Sequence, residues 1–348
     1  MAAEVRLVGP AVTFGPARRS AFIGVLMYLA AAFLFAFNGA LATLVMRAGI
    51  APARFTELRN LGACIVLAGV LLVVNRSGFR VRRAEWRILA AYGVIAFAAV
   101  QFLYFFTISR LPLGIGTLLA YTAPVVVALW NRFGRNQHLP SRIRWAIVMT
   151  IIGLALVTQI WQGMTLDPVG LLAGFALPIA LALYWLLGEA GQRNRDPLSL
   201  SMWGFAFATL TWSVIQPWWT FPWPVLGQSI GIDVGPASGL VVSTSAPAWS
   251  LMIWVILMGT IAPFLLVLGS LRRLGAQRAG IVGSSEPVWA TGLSVVLLGA
   301  TIAPWQLVGM AVVLAGIVIA ETTRGDRDGA VRLPVGPNAE GAHRTLGQ

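Results

Sequence analysis

Apolar residues run through this chain in long stretches, separated by short polar connections. A helix rises about 1.5 Å per residue, so about 20 apolar residues cross a hydrocarbon core ~30 Å thick. Ten stretches meet or approach that length: 22–46, 57–74, 88–108, 114–131, 145–161, 169–189, 199–217, 249–269, 279–298 and 305–321. Each reads as a membrane-spanning helix, and glycine or proline inside one does not disqualify it. The fold class expected is an all-α polytopic membrane protein. The first stretch follows Arg18 and Arg19, as a signal peptide would. It is longer than the apolar core of a signal and more spans follow, so it reads as a retained helix.

Composition agrees with the pattern. The 348 residues are 58% hydrophobic and 11% charged, with mean hydropathy +0.80. A soluble chain carries about 25% charged residues. The net charge of +13 would suggest nucleic acid in a soluble protein, but no aromatic-basic binding motif accompanies it. All 25 basic residues are arginines, and most sit between apolar stretches. Arg6, Arg18 and Arg19 precede the first span. Arg76, Arg80, Arg82, Arg83 and Arg87 follow the second. Arg132, Arg135, Arg142 and Arg144 follow the fourth, Arg193 and Arg195 the sixth, and Arg272, Arg273 and Arg278 the eighth. Arg324, Arg327, Arg332 and Arg344 lie in the tail. Of the alternate connections, 162–168, 218–248 and 299–304 hold no arginine, and only Arg47, Arg54 and Arg110 fall on that side before mid-chain. Positive loops stay inside, so the alternation places both termini in the cytoplasm of a cell (inner) membrane protein with ten spans. The lone Cys64 permits no intrachain disulfide. In the connection 218–248, Trp218, Trp219 and Trp223 read as interfacial anchors, with a binding lid as the other reading. The tail 322–348 is rich in Gly, Pro, Arg and Asp and is expected to be disordered.

The chain also repeats itself. Registering Pro124 on Pro287, an offset of 163, brings Arg110 onto Arg273, Leu111 onto Leu274 and Gly153 onto Gly316. Two halves follow, 22–161 and 169–321, flanked by segments 1–21 and 322–348. Five spans per half is odd, so the halves insert in opposite senses. That is the inverted-repeat plan of many secondary transporters, with the site near mid-membrane between the halves.

The stretches SSEPVWATGLSVVLLG and WQLVGMAVVLAGIVI, with LPLGIGTLLAYTAPVVVAL in the first half and Arg59 early in the second span, resemble EamA-type permeases of the drug/metabolite transporter superfamily. The resemblance covers nearly the whole chain between the tails. It implies ten helices, a central cavity and export or exchange of small metabolites. Such permeases often carry a second glutamate at the end of the ninth span; here Ala300 stands there, which puts the role of that carboxylate in doubt.

Polar residues inside spans face the bundle interior and mark paths or contacts. Glu286 stands about seven residues into the ninth span, roughly 10 Å deep at ~1.5 Å per residue. It reads as a carboxylate linked to proton or substrate, or as a protonated carboxyl bonded across a helix contact. Pro287 frees a backbone carbonyl, which Ser284 or Ser285 can satisfy. Tyr121, Thr122 and Pro124 occupy the corresponding place in the first half, without an acid. Asn38, Gln101, Tyr184 and Trp185 line a cavity or pack. Arg59 either pairs across a helix contact or snorkels to the interface. Glu57 and Asn60 share a face with each other, and Glu189 reaches Arg193. Small residues at Gly170 and Gly174 suit helix packing.

A membrane-embedded transferase would need metal-binding acids or a histidine base. The two histidines, His138 and His343, lie in a loop and the tail, and no phosphate-binding glycine loop is present. No cofactor or metal is expected. The reading is a secondary transporter of a small organic molecule, proton-coupled or facilitative. A polytopic enzyme and a non-transporting scaffold stay open as alternatives, and so does a homodimer.

Overall fold

A computed structural model of the chain describes residues 16–133, 141–158, 166–192, 195–234, 242–263, 266–267, 269–270, 273–274 and 282–330. Among them the apolar stretches are helical. Helix α1 (Pro16–Arg47) starts ahead of its apolar run. Proline suits a first helical turn, where its missing N–H would be unpaired anyway. Helix α2 (Pro52–Val74) opens the same way and stops at Asn75, whose N–H bonds the Leu71 carbonyl. Helix α3 (Arg83–Arg110) contains a wide-turned π stretch, Tyr92–Ala99. The fourth apolar stretch is two helices, α4 (Leu113–Ala120) and α5 (Ala123–Phe133), separated by a turn at Tyr121–Thr122. Helix α6 (Ser141–Thr158) and helix α7 (Pro168–Gln192), with Pro178 in its interior, follow. Helix α8 (Pro197–Ile215) is capped by Asp196, which accepts from the Ser199 N–H at 2.9 Å.

The connection after α8 departs from the expectation of a plain aromatic anchor. Strands β1 (Ser229–Val234) and β2 (Val242–Pro247) pair antiparallel, Ser229 opposite Pro247 and Val234 opposite Val242. In β1 apolar Ile230 and Ile232 alternate with smaller or polar residues, the period of a half-buried strand. Ile230 is buried on the helices while Trp219 is 84% exposed. Helix α9 (Ala248–Ile261) ends in a second π stretch, Leu257–Ile261. Helix α10 (Glu286–Leu298) ends at Gly299, whose φ of 63° is left-handed and favours glycine. Helix α11 (Pro304–Ala330) does not end where its apolar run does. It carries the first residues of the expected tail as helix, because loss of apolarity does not itself stop a helix; the rest of the tail lies outside the described residues.

Among the described residues four helices are long and apolar enough to cross a membrane: Ser20–Arg47, α2, α3 and α8. Shorter apolar helices span Pro168–Tyr184, Ala248–Ile261, Glu286–Leu298 and Pro304–Ile319. The protein is a mostly helical membrane protein, amended by one β-hairpin.

Packing follows small residues. Helices α6 and α11 lie against each other with their backbones close. A Cβ added to Gly153 would stand 2.7 Å from the Gly309 carbonyl oxygen, and one on Gly309 would stand 2.7 Å from that of Gly153. Gly316 meets the Ala146 carbonyl in the same way at 2.9 Å. Gly170 faces Arg110 and Leu111, and Gly174 faces Leu119, so that pair of glycines serves helix packing. At the end of the bundle carrying the hairpin, Leu44, Ile50, Phe55, Leu113, Ile230 and Leu297 fill one core.

Two irregularities recur at the offset of 163. The turn at Tyr121–Thr122 corresponds to a turn at Ser284–Ser285, and the π stretch of α3 overlaps that of α9. At each turn the proline, Pro124 or Pro287, stands second in the helix that follows. Proline has no N–H to give to the preceding turn, so the helix restarts just before it.

Candidate functional site

Between the packed hairpin end and the arginine-rich end lies a cavity of about 430 Å³. Helices α1, α2, α3, α4, α7, α10 and α11 line it, together with the turn between α4 and α5. The two helix breaks meet there. The Tyr121 hydroxyl donates to Oε2 of Glu286 at 2.7 Å, joining the break in one half of the chain to the break in the other. Glu286 is 8% exposed and is the first residue of α10, not a mid-helix residue as its position in the apolar run suggests. An acid in the first turn of a helix lies at the end whose dipole favours negative charge. The carbonyl of Val282 accepts from the Ser285 N–H at 3.1 Å, so backbone rather than a serine side chain satisfies it. Tyr28 closes over this break: a Cβ on Gly283 would stand 2.7 Å from its ring.

Of the residues singled out from sequence, Asn38, Arg59, Gln101, Tyr121, Tyr184 and Glu286 share this cavity. Arg59 is only 6% exposed and packs its guanidinium over the Phe105 ring, 5.2 Å from the centroid. Snorkelling to the interface is therefore ruled out: the side chain is turned inward. Asn38 is 3% exposed and lies against Gly259, whose lack of a side chain makes the room. Tyr184 stacks on Tyr92, with ring centroids 5.6 Å apart.

The others stand aside. The Thr122 hydroxyl donates back to the Leu119 carbonyl at 2.8 Å and reads as local structure. Pro287 and Ser284 are buried at the break without lining the cavity, and Ser285 Oγ has no partner. The side chains of Pro124 and Trp185 lie outside the described residues, as do His138 and the Glu189–Arg193 pairing.

Sequence reasoning missed Tyr28 and Tyr104, which also line the cavity. A signal was available. The chain has five tyrosines among 348 residues, all inside apolar stretches. Four of them line the cavity and the fifth, Tyr92, stacks on one of those four.

Two polar networks tie α2 to α8 at either end. Arg54 donates to Glu57 at 2.7 Å and to the carbonyls of Gln216 and Pro217 at 3.1 and 3.4 Å, and also bonds Thr220. Glu57 thus pairs with Arg54, three residues away. At the arginine-rich end, Arg195 donates to the carbonyls of Gly78 and Arg80, to Ser199 Oγ and to Glu85 at 2.9 Å. That pairing holds the Glu85 carboxyl below its ordinary value of 4.5. Near the hairpin end Arg110 pairs with Asp167 at 2.8 Å, which lowers the pKa of that carboxyl too.

No group of three or more metal-ligating side chains occurs among the described residues. A buried carboxyl, a buried guanidinium and four phenols around one cavity can bind and release a small polar molecule.

Comparison with known proteins decides the family. The model of the EamA-like transporter family matches residues 22–159 and again 168–322. The chain belongs to the EamA-like transporter family. Among its relatives, the threonine/homoserine exporter RhtA of Escherichia coli (strain K12) is 23% identical over 256 residues, 72% of this chain and 77% of that one. The uncharacterized inner membrane transporter YicL of Salmonella typhimurium (strain LT2) is 21% identical over 301 residues, 85% of this chain and 94% of its own. One solved crystal structure superposes with a TM-score of 0.52 at 19% identity, covering 87% of this chain and 98% of that one. That likeness is one of fold. This EamA-like chain is a multi-pass membrane transporter, and its cavity sits where two broken helices meet.

Proposed function

We propose that this EamA-like transporter exports a small organic metabolite across the cell membrane by alternating access between two inverted halves. The halves are the five-span units 22–161 and 169–321, with both termini in the cytoplasm. The carrying observation is the meeting of two helix breaks at a central cavity through the Tyr121–Glu286 hydrogen bond. Helices broken at corresponding places in two halves point to the substrate site of such transporters. The turns and π stretches recurring at one offset, and the family model matching twice, support two halves of like build.

Orientation rests on the arginines, which crowd alternate connections. The core at the hairpin end then lies on the outer side of the membrane. Export draws support from RhtA, named for threonine and homoserine, both small enough for a 430 Å³ cavity. Glu286 is the coupling residue: it takes a proton in one facing state and releases it in the other, with Tyr121 donating to the carboxylate.

The test compares extracellular metabolites of cells expressing wild type, Glu286→Gln or no transporter. Expected is a compound enriched outside with wild type and not with the variant, at equal amounts of folded protein in the membrane. Equal enrichment by both would remove Glu286 from the mechanism. Enrichment by neither contradicts export.

A further inference from the structure

Among the described residues Arg59 is buried and Arg54 and Arg195 are partly buried, and their surroundings differ in one respect. Arg54 and Arg195 each have a carboxylate, Glu57 at 2.7 Å and Glu85 at 2.9 Å. Arg59 has none. It is 6% exposed, and among the described residues it makes no hydrogen bond or ion pair; its Nε is buried without a partner. Its contact with Phe105 is to the face of a ring. A ring face attracts a cation but accepts none of the five N–H donors of a guanidinium. A buried charge left without partners destabilises a protein strongly, and in a membrane such a residue marks a functional path. The guanidinium borders the cavity, so the missing partner has room to enter.

We propose that the transported compound carries a carboxylate and that Arg59 is the residue on which it docks. This rests on reading the cavity as the transport site. A guanidinium offers two parallel N–H donors that match the two oxygens of a carboxylate. The alternative anion, a phosphate ester, fits worse. Arg59 is the only basic side chain lining the cavity among the described residues, and one cation balances one negative charge. Glu286 borders the same space, and the Tyr104 hydroxyl lies within electrostatic reach of both Arg59 and Glu286. A dianion docked on Arg59 would therefore meet a second acid across a low-dielectric gap. The cavity volume of about 430 Å³ suits a small ligand, and its walls of Phe97, Phe105 and Leu177 give the rest of the molecule an apolar seat.

Two experiments separate this proposal from the export reading. Purified transporter is melted in sodium acetate and, at the same ionic strength, in sodium chloride with acetamide. A ligand that binds the folded state raises the melting temperature. Acetate is expected to raise that of wild type over the acetamide control, and to leave Arg59→Gln unmoved. Arg59→Lys keeps a charge and serves if the glutamine variant does not fold; it is expected to respond less than wild type. An acetate response equal in wild type and the Arg59 variants overturns the proposal, as does no response in wild type. In cells, every compound that wild type enriches outside is expected to bear a carboxylate. Arg59→Lys is expected to raise the KM for it about tenfold with the maximal rate changed far less, the signature of lost ground-state binding. An exported compound without a carboxylate overturns the role of Arg59 and leaves export standing. No export with an acetate response specific to wild type does the reverse.

Discussion

Tyr121 and Glu286 are the smallest unit on which the account depends. Replacing Tyr121 with Phe keeps the ring and leaves Oε2 of Glu286 without its donor. A hydrogen bond to a charged group contributes about 1.5–3 kcal/mol, so a Tyr121→Phe transporter is expected to lose roughly tenfold or more in transport rate while still folding. Measuring rate and melting temperature together decides it; a normal rate would make the bond incidental. Gly283→Ala is a second residue-scale test, since its methyl would crowd the Tyr28 ring at 2.7 Å. That ring is expected to shift and transport to fall, read in the same assay; unchanged transport would show that the break tolerates it. At this scale Glu286 was legible, because an acid in an apolar run has no cheap explanation. Arg59 was legible as polar but not in direction: whether a long side chain turns to the interface or the interior depends on neighbours such as Phe105. The tyrosines escaped notice because each reads singly as packing, and only the cavity shows that they gather.

At the scale of elements, the glycine contact between α6 and α11 carries the closest backbone approach. Gly153→Leu puts a side chain where the Gly309 carbonyl stands, so it is expected to push the helices apart. Overpacking of this kind costs about 1–3 kcal/mol, visible as a lowered melting temperature. No change would mean that the pair is not tightly held. The network at Arg195 gives a pH prediction. The Glu85 carboxyl is held below its ordinary value, so its stabilisation is present above pH 4.5 and is lost as the pH falls through the depressed value. Wild type is expected to lose melting temperature on acidification below 4.5 more steeply than Glu85→Gln; parallel curves would contradict the latch. Pro124 and Pro287 were legible as places where a helix bends or breaks, but Pro178 stands inside the unbroken α7, so proline alone does not decide between the two. The hairpin was not read, although alternation over Ser229–Val234 was there to see. Aromatic anchoring had already accounted for that connection, and six residues of alternation are a weak signal beside spans of twenty.

At the scale of the whole molecule, the family model matches the chain twice, and a helix break from each matched region borders one cavity. The repeat was legible because a few landmarks keep a constant offset, and the structure adds the paired turns and π stretches to them. The first two spans have no counterpart at that offset, because the hairpin lengthens the chain between α8 and α9. What the sequence could not show is the core at the hairpin end, which joins distant residues such as Leu44, Ile230 and Leu297. The proposed orientation is tested by tags: an epitope between β1 and β2 is expected to be reached from outside, and a reporter after Gln348 only from inside. The most direct test of the central claim uses purified transporter in vesicles, with the exported compound on one side and a pH gradient of either sign. Wild type is expected to move the compound uphill in the direction set by the gradient, and Glu286→Gln to be indifferent to it. Gradient-driven movement that survives in Glu286→Gln would contradict the claim that the meeting of the two helix breaks is where transport is coupled.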